Sequence, residues 1–445
     1  MIVSFTLDNW TSFKDKVTFS MVASRERQHG NRLARLRNYQ AKILPIAAIY
    51  GGNASGKTNF FKALGFAKKL VVFGTRPGKE IPVEPFLLDT KAAEKPSHLE
   101  FVLVSKDSMY EYGFSVTRKA VLEEKLVKIG NKEKTLYHRR NGGIEFHKSL
   151  AEEKFLQYAF QGTRPNQLFL TNSVEQNIET FRPVYDWFDD TLTMIAPDAR
   201  FGSFELFVDE GRLHSAMNKI LPLLDAGIAS IGGEDIPFEN IPIPEFKKNE
   251  IQENTEEGEG IRLLDMPGSE RFLITREDGK MLARKLITYH AGGDGLNVKF
   301  NMSQESDGSK RVIDLLPAFL ELASQDSKRV YVIDELDRSL HTILSRRLIE
   351  SYLARCADKS RTQLLLTTHD VLLMDQQIMR RDEMWVTERD NMGASSLTSF
   401  SDYLDIRYDK DIRKSYLQGR LGGIPRIMST NLLEGPNLFG DGEGF

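Results

Sequence analysis

The chain has 445 residues, a formal net charge of −3 and a hydrophobic content of 40%, which fits a globular protein of two or three domains, or one large domain with an insertion. It contains no run of about 18 apolar residues, which excludes a membrane-spanning helix, and its single cysteine, Cys356, excludes an intramolecular disulfide and a cysteine-built metal site. The start, MIVSFTLDNW, lacks a basic region and a cleavage site, so we expect a cytoplasmic protein with no membrane partner.

The first 40 residues combine two strand patterns with a basic stretch. Apolar and polar residues alternate in IVSFTLDNW and KVTFSMV, which predicts two β-strands near the N-terminus. The stretch RERQHGNRLARLRNYQ that follows contains the arginines Arg25, Arg27, Arg32, Arg35 and Arg37. Two interpretations stay open, a solvated loop or a contact with a nucleic-acid backbone, because a local basic patch can act within an acidic protein.

A glycine-rich stretch, GGNASGKTN at residues 51–59, is the first to indicate chemistry. Its pattern is G-x-x-x-x-G-K-T, with an apolar run of strand length before it and an amphipathic helical pattern after it. A strand, a glycine loop and a helix start in this order direct backbone N–H groups at an anion. We therefore predict a nucleotide site rather than an incidental turn, with Lys57 at the outer phosphates and Thr58 as a Mg²⁺ ligand. The predicted nucleotide-binding residues are Gly51, Gly52, Asn53, Ala54, Ser55, Gly56, Lys57, Thr58 and Asn59.

The middle of the chain predicts an antiparallel sheet followed by a helical and partly flexible insertion. Short alternating runs separated by turn residues indicate strands between residues 97 and 148. Helical periodicity follows in SVEQNIETFRPVYDWFDDTL and GRLHSAMNKILPLLDAGI. Residues 232–260 are rich in proline, glycine and acidic side chains, which predicts a flexible segment. RFLITRED and LARKLITYH are then expected to form a hairpin-like pair.

The stretch RVYVIDELDRSLH supplies the acidic side chains that a nucleotide site needs. Its apolar part predicts a buried parallel strand ending at Asp334 and Glu335. Asp334 is placed to hold Mg²⁺ through water, and Glu335 to act as general base for the attacking water. An acidic helix cap is the structural alternative. It is disfavoured because a further strand, TQLLLTTHD, ends near His369, where a histidine can sense the γ-phosphate and help to hold the water.

A second anion-binding helix start is predicted in FNMSQESDGSKRVIDLLPAFLELA. Ser306 and Gly308 stand at the beginning of its long amphipathic pattern, and residues of these types favour an exposed, anion-binding helix terminus. The phosphates of one nucleotide need only one such helix terminus within the same chain. We therefore predict that the second one faces the nucleotide of another subunit.

The motifs GGNASGKT, ESDGS, YVIDELD, DRSLH and TTHD together resemble the ABC-type ATPase head of the SMC, Rad-fifty and OLD branch. The resemblance implies an α/β P-loop fold with an antiparallel β-rich lobe and a helical or flexible insertion, and ATP and Mg²⁺ as ligands. It places Ser306 and Gly308 in the signature, Asp337 in the D-loop that touches the partner subunit, and His369 in the switch loop. Gln167, in PNQLFLTNS, is the candidate for the glutamine of the Q-loop.

A narrower resemblance extends over residues 5–425 and is to the AAA-family ATPases of the RloA and AbiL type. It is carried by PFLLD, SHLEFVLVS, MYEYGFSV, LLLTTHDVLLMD, RRDEMWVTERD and KSYLQGRLGGIP. Members stand in bacterial anti-phage defence loci, commonly beside a small TOPRIM-type effector. The resemblance implies an ATP-hydrolysing regulatory or sensor subunit of an abortive-infection system, which forms a homodimer or higher homo-oligomer and controls a separately encoded effector nuclease. It leaves the trigger open between a nucleic acid and a phage protein.

These motifs divide the chain into four expected parts. ATPase lobe I spans residues 1–180, the insertion 181–290, ATPase lobe II 291–428 and a flexible tail 429–445. The stretch after EMWVTERD is too short for the TOPRIM domain of OLD nucleases, so we expect no intrinsic nuclease activity. A RecF-like or SMC-like DNA-repair ATPase is the competing interpretation, because it too has an ABC-type head without long coiled coils.

Overall fold

The structure is a computed structural model and describes residues 1–201, 207, 211–263, 266–403 and 411–424. The predicted flexible tail, residues 429–445, lies outside this part of the chain. The strands are β1 (Ile2–Asp8), β2 (Val17–Ser20), β3 (Ala34–Leu36), β4 (Ala41–Ile43), β5 (Ile46–Tyr50), β6 (Ser97–Ser105), β7 (Ser108–Val116), β8 (Val121–Ile129), β9 (Lys134–Arg140), β10 (Gly143–Phe146), β11 (Leu192–Ile195), β12 (Ser230–Pro237), β13 (Gly260–Leu263), β14 (Phe272–Glu277), β15 (Lys280–Ala291), β16 (Asn297–Asn301), β17 (Val330–Ile333), β18 (Gln363–Thr367), β19 (Met384–Arg389) and β20 (Ser395–Ser399).

The α-helices are short apart from three that pack on the central sheet. None of the described helices is long and apolar enough to cross a membrane. They are α1 (Lys57–Phe73), α2 (Thr90–Ala93), α3 (Lys154–Gln161), α4 (Phe169–Glu175), α5 (Arg182–Asp186), α6 (Arg212–Ile220), α7 (Glu245–Asn254), α8 (Asp307–Leu322), α9 (Thr342–Leu353) and α10 (Ile412–Leu417).

The central sheet is parallel except at one edge and has the strand order β11-β17-β18-β5-β19-β20. Every residue of β5, β17 and β18 is buried, as expected for parallel strands covered on both faces. Side chains alternate along β5: Ala47 and Ile49 pack in one core with α1, whereas Ile46, Ala48 and Tyr50 pack in a second core with α8 and α9.

The parallel pairing determines where the functional residues meet. Strands β5, β17 and β18 run in the same direction as neighbours, so their carboxyl ends lie at one edge of the sheet. The glycine-rich loop follows β5, Asp334 and Glu335 follow β17, and His369 lies two residues beyond β18. Ligands of open α/β sheets bind at this kind of edge.

A second sheet, which forms the lobe beside α1, is antiparallel with the order β10-β9-β8-β7-β6-β1-β2. It confirms the two strands predicted near the N-terminus and the antiparallel sheet predicted between residues 97 and 148. Its aromatic side chains hold α1: the Phe60 ring lies 5.5 Å from that of Phe5 and 5.3 Å from that of Phe19. The helix that starts in the glycine-rich loop is thus fixed from its buried side.

The insertion contains a third sheet, with the order β12-β15-β14-β13 and with β16 paired to β15. The predicted hairpin is the β14–β15 pair. Residues 232–260 were expected to be flexible, but they form most of β12, then α7 and the start of β13. Their few apolar side chains explain the difference, because they contribute to a small separate core made of Phe238, Ile241, Phe272, Ile274 and Ala283.

The basic stretch near the N-terminus is partly structural. The side chain of Arg32 is buried, forms a salt bridge with buried Glu383 and donates to the backbone oxygen of Ile378 at 2.7 Å. Arg35 and Arg37 are exposed. The five arginines therefore do not act as one surface.

Candidate nucleotide-binding site

Two glycines of the phosphate loop are required by its close packing. Gly51 has φ 150° and Gly56 has φ 119°, conformations that other residues rarely adopt. A Cβ atom at Gly51 would overlap the Thr387 side chain in β19, and one at Gly56 would lie 2.6 Å from Oγ of Ser395 in β20. The adjacent antiparallel strands therefore determine the shape of the loop.

The loop ends at the amino terminus of α1, which carries no side-chain cap. An uncapped helix start offers free N–H groups and the positive end of the helix dipole to an anion. Lys57 Nζ donates to the backbone oxygens of Gly51 at 2.7 Å and Gly52 at 2.9 Å, which folds the side chain over the loop. Burial lowers the pKa of Lys57 to about 8, against the opposing effect of Asp334 and Glu335.

Asp334 has the surroundings of a Mg²⁺ ligand. Its side chain is fully buried, and Oδ1 accepts a hydrogen bond from Thr367 Oγ1 at 2.5 Å. Burial raises the pKa of Asp334, whereas hydrogen bonds from Thr367 and Thr58 lower it. Oδ2 is buried without a hydrogen-bond partner in the described part of the chain. A threonine hydroxyl beside a carboxylate with an unused oxygen suits Mg²⁺, which takes few protein ligands and keeps several waters.

Glu335 and His369 line the same cavity as the phosphate loop, with a volume of about 760 Å³. The N–H of Glu335 donates to Thr367 Oγ1 at 2.8 Å, and its φ of 49° is uncommon for a residue with a side chain. Burial, together with the positive charge of Lys57, lowers the pKa of His369, so its imidazole is neutral at neutral pH. The structure therefore brings Lys57, Thr58, Glu335 and His369 together.

The predicted signature residues lie at the start of α8 and do not line the cavity of their own chain. Ser306 Oγ accepts a hydrogen bond from the N–H of Ser309 at 3.0 Å and caps the helix. A Cβ atom at Gly308 would lie 2.9 Å from the backbone oxygen of Ser339. The start of α8 and the loop after β17 are thus packed against each other.

Two other predicted residues also lie outside the cavity. The Asp337 carboxylate accepts a hydrogen bond from the N–H of His369 at 3.3 Å and so holds the switch loop. Gln167 is buried in the antiparallel lobe, where Nε2 donates to Glu175 Oε2 at 3.0 Å and its backbone oxygen accepts from Arg139 at 2.7 Å. This corrects the Q-loop assignment, because the Gln167 side chain is part of the lobe core rather than of the cavity.

The sequence pattern missed β11 and the loop that follows it. β11 pairs in parallel with β17, so residues 196–200 emerge beside Asp334. The backbone oxygen of Ala196 accepts from Arg311 at 3.4 Å. Burial lowers the pKa of Arg311, and the negative charges of Asp314, Glu335 and, last, Asp198 oppose this effect. A four-residue strand directly after a helical pattern gives no periodic signal of its own.

The support of the loop by the C-terminal stretch was also missed. The N–H of Gly52 donates to the backbone oxygen of Gly423 at 2.7 Å, and the Tyr416 hydroxyl donates to the same oxygen at 3.0 Å. The Gly52 N–H is therefore used within the protein and does not face a phosphate, contrary to its predicted role. The only sequence signal was the pair of glycines in LGG.

The insertion contacts α8, or the residue just before it, through side chains at two places. Arg271 and Asp314 form a buried bidentate pair, with Nη1–Oδ1 at 2.7 Å and Nη2–Oδ2 at 3.1 Å. Glu305, directly before the signature serine, is buried and hydrogen-bonded to Thr288 and to His290 of β15. The position of the signature helix is therefore tied to the insertion.

We expect Asp314→Ala to lower the free energy of unfolding by about 3–5 kcal/mol, because it leaves the Arg271 guanidinium buried without its carboxylate. Urea unfolding followed by circular dichroism measures the change. Glu350→Ala is the control: it removes partners of Arg346 and Arg347 on α9, which are partly exposed, and should cost at most about 1 kcal/mol. An equal loss of unfolding free energy in the two variants would contradict a stabilising role of the buried Arg271–Asp314 pair.

The strand order, the phosphate loop, the carboxylates after β17 and the antiparallel lobe define an ABC-type ATPase head, as predicted. A family profile described as "AAA domain, putative AbiEii toxin, Type IV TA system" matches residues 46–375. This is more than half of the chain, which therefore belongs to this family of AAA ATPases.

Solved SMC heads are similar over most of their length. The SMC head domain from Thermotoga maritima is 15% identical with a TM-score of 0.36, covering 89% of this chain and 98% of its own. An SMC head bound to the C-winged helix domain of ScpA is 12% identical with a TM-score of 0.40, covering 89% and 97%. No curated protein matches the chain significantly.

Proposed function

We propose that this ATPase is the Mg²⁺-dependent regulatory or sensor subunit of a bacterial anti-phage, abortive-infection system, and that it controls a separately encoded effector nuclease of the TOPRIM type. The observation that carries the ATPase part is the convergence of Lys57, Thr58, Glu335 and His369 on one cavity, with Asp334 buried beside Thr58. Membership of a family described by a putative AbiEii toxin supports the defence context.

The side chains divide the hydrolytic work. Lys57 and the free N–H groups at the start of α1 would bind the phosphates. Thr58 and Asp334 would hold Mg²⁺, which would supply positive charge to offset that of the phosphates. Glu335 accepts the proton of the attacking water. His369, a neutral imidazole on the cavity wall, orients that water and contacts the γ-phosphate. The water oxygen then forms a bond to the γ-phosphorus, and the bond between that phosphorus and the β–γ bridging oxygen breaks. The products are ADP and inorganic phosphate.

We further propose that two chains share each ATP. Ser306 and Gly308 lie outside the cavity of their own chain, whereas an uncapped or serine-capped helix start is suited to phosphate. Across a two-fold interface the same groups would meet the γ-phosphate of the partner's ATP, and Asp337 would lie at the contact between subunits. ATP would then stabilise the dimer, and hydrolysis would loosen it, which lets a bound effector sense the nucleotide state.

A DNA-repair ATPase of the RecF or SMC kind is the second candidate, and one surface feature favours it. Arg35, Arg37, Lys359 and Arg361 line a groove of about 360 Å³, together with Asp107 and Asp358. The positive charges of these four side chains suit a nucleic-acid backbone, although the two carboxylates reduce the positive electrostatic potential of the groove. Tight, salt-sensitive binding of DNA by the purified chain would favour this function.

A phage-plating assay tests the proposed defence role. A bacterial host carrying the gene with its neighbouring genes should restrict phage. Lys57→Ala and Glu335→Gln should each remove the protection, because the first cannot take up ATP and the second cannot leave the ATP-bound state, so neither can change the nucleotide state that the effector senses. Lys62→Ala, at an exposed position on α1, is the matched control. The purified chain alone should leave DNA and RNA intact. Full protection by both variants, or cleavage by the chain alone, would contradict the proposal.

A further inference from the structure

We propose that Arg311, in the second turn of α8, is a positioning residue for ATP hydrolysis, which acts by holding the backbone that carries Glu335. This proposal rests on the role of Glu335 as general base in the proposed function and adds the side chain that keeps that base in place. Nη2 of Arg311 donates to the backbone oxygen of Glu335 at 3.3 Å and to that of Asp334 at 3.4 Å. The same guanidinium nitrogen therefore contacts the peptide units on both sides of the Glu335 Cα atom.

The Arg311 guanidinium is buried and forms no salt bridge with a carboxylate among the described residues. The residue is 5% exposed, and its acceptors are the two backbone oxygens above and that of Ala196 at 3.4 Å. Asp314, three residues further along the same helix, is paired with Arg271 instead. Nε of Arg311 has no hydrogen-bond partner in this part of the chain.

Stability alone does not explain this arrangement. Moving a guanidinium out of water costs free energy, and long hydrogen bonds to neutral oxygens offset only part of that cost. An unbranched apolar side chain of similar length would fill the same space without the cost. Arg271 shows the contrast, because its two bonds to the Asp314 carboxylate are 2.7 Å and 3.1 Å long. The position of Arg311 is better explained by what it does for the backbone of the two carboxylates after β17.

The backbone of Glu335 requires support from its surroundings. Its φ of 49° lies in the left-handed region, where a residue with a side chain persists only when other contacts hold it. Its N–H is held by Thr367 Oγ1, beside β18, at 2.8 Å. Its backbone oxygen accepts from the N–H of Arg338 at 3.1 Å within the same turn. Arg311 is the donor that reaches this oxygen from another element, α8.

The loss of Arg311 should affect the base without affecting the phosphate loop. The loop is packed at Gly51 against Thr387 of β19 and at Gly56 against Ser395 of β20, and Arg311 contacts neither strand through its hydrogen bonds. Without its donor from α8, the turn after β17 can relax and carry the Glu335 carboxylate away from the attacking water. We therefore expect slower hydrolysis at unchanged ATP affinity.

The test measures single-turnover hydrolysis of radiolabelled ATP with Mg²⁺, and ATP affinity by calorimetry. Arg311→Met should lower the rate about 10–100-fold, because a displacement of about 1 Å in a reacting group can cost about 100-fold, while ATP affinity stays within about twofold. The urea midpoint of unfolding should not decrease. Arg311→Lys, which keeps the charge but not the fork of donors, should show the same pattern with a smaller loss of rate, and it carries the test if Arg311→Met does not fold. Arg329→Met, which removes the partner of Glu321 near the other end of α8, is the control and should change neither quantity.

A second measurement separates the positioning of Glu335 from a general effect on the protein. In a Glu335→Gln background, Arg311→Met should lower the rate by less than about threefold more, because the group that it positions is already lost. A further loss as large as in the wild-type background would overturn the proposal, and so would a wild-type rate in Arg311→Met or a parallel loss of ATP affinity. Failure of the wild type to hydrolyse ATP would instead reject the proposed function itself.

Discussion

Glu335→Gln should lower the rate of ATP hydrolysis by about 10²–10⁴-fold and leave ATP binding intact. The amide retains the shape of the side chain but cannot accept the proton of the attacking water. The backbone of Glu335 is fixed by its hydrogen bond to Thr367, so the substitution should not move the loop. Single-turnover hydrolysis of radiolabelled ATP, with binding measured separately by calorimetry, gives both quantities.

The control for this variant is Glu350→Gln, which changes a glutamate on α9 that pairs with Arg346 and Arg347. It should hydrolyse ATP at the wild-type rate. Because Glu335→Gln retains ATP, dimers bound to ATP should accumulate and be visible by light scattering. Wild-type turnover in Glu335→Gln would place the general base at another residue.

Lys57→Ala should weaken ATP binding at least about 100-fold, which removes the nucleotide at ordinary concentrations. The side chain now bonds to the backbone oxygens of Gly51 and Gly52 inside a buried site, and an alanine leaves those oxygens and the phosphates without a charged donor. Hydrogen bonds to charged groups contribute about 1.5–3 kcal/mol each, and the lysine is placed to reach two phosphates. Calorimetric titration with ATP measures the loss.

Lys62→Ala is the matched control for the lysine variant, because it removes the same charge from an exposed position of the same helix. Its ATP affinity should be unchanged. An equal effect of both substitutions would indicate a general effect of net charge. Unchanged affinity in Lys57→Ala would show that the loop is not a phosphate site.

Local patterns predicted the parts of the site that are contiguous in sequence. The strand, glycine loop and helix around Lys57 follow from one short stretch, and the carboxylates after β17 from another, because parallel strands bring their carboxyl ends to one edge. The insertion was harder to predict, since a few apolar side chains among prolines and acids form its small core and leave no periodicity to detect.

Contacts between distant parts of the chain were not predictable. The N–H of Gly52 donates to the backbone oxygen of Gly423, and Gly51 packs on Thr387. No local sequence pattern at the phosphate loop indicates which distant residues it will contact. Gln167 was selected by residue type alone, and the fold buries it in the other lobe. Leu88 and Arg389 likewise come together only at Gly393 in the folded chain.

The proposed sharing of ATP between two chains is tested most directly by mixing Lys57→Ala with Ser306→Arg. Each variant alone should be inactive, the first for lack of bound ATP and the second because the added side chain blocks the start of α8, while Ser306→Arg still binds ATP. If sites are shared, a mixed dimer has one intact site. An equimolar mixture should then recover roughly a quarter of wild-type turnover, since about half of the dimers are mixed. No recovery, with mixed dimers demonstrated by differential tags, would contradict the shared site.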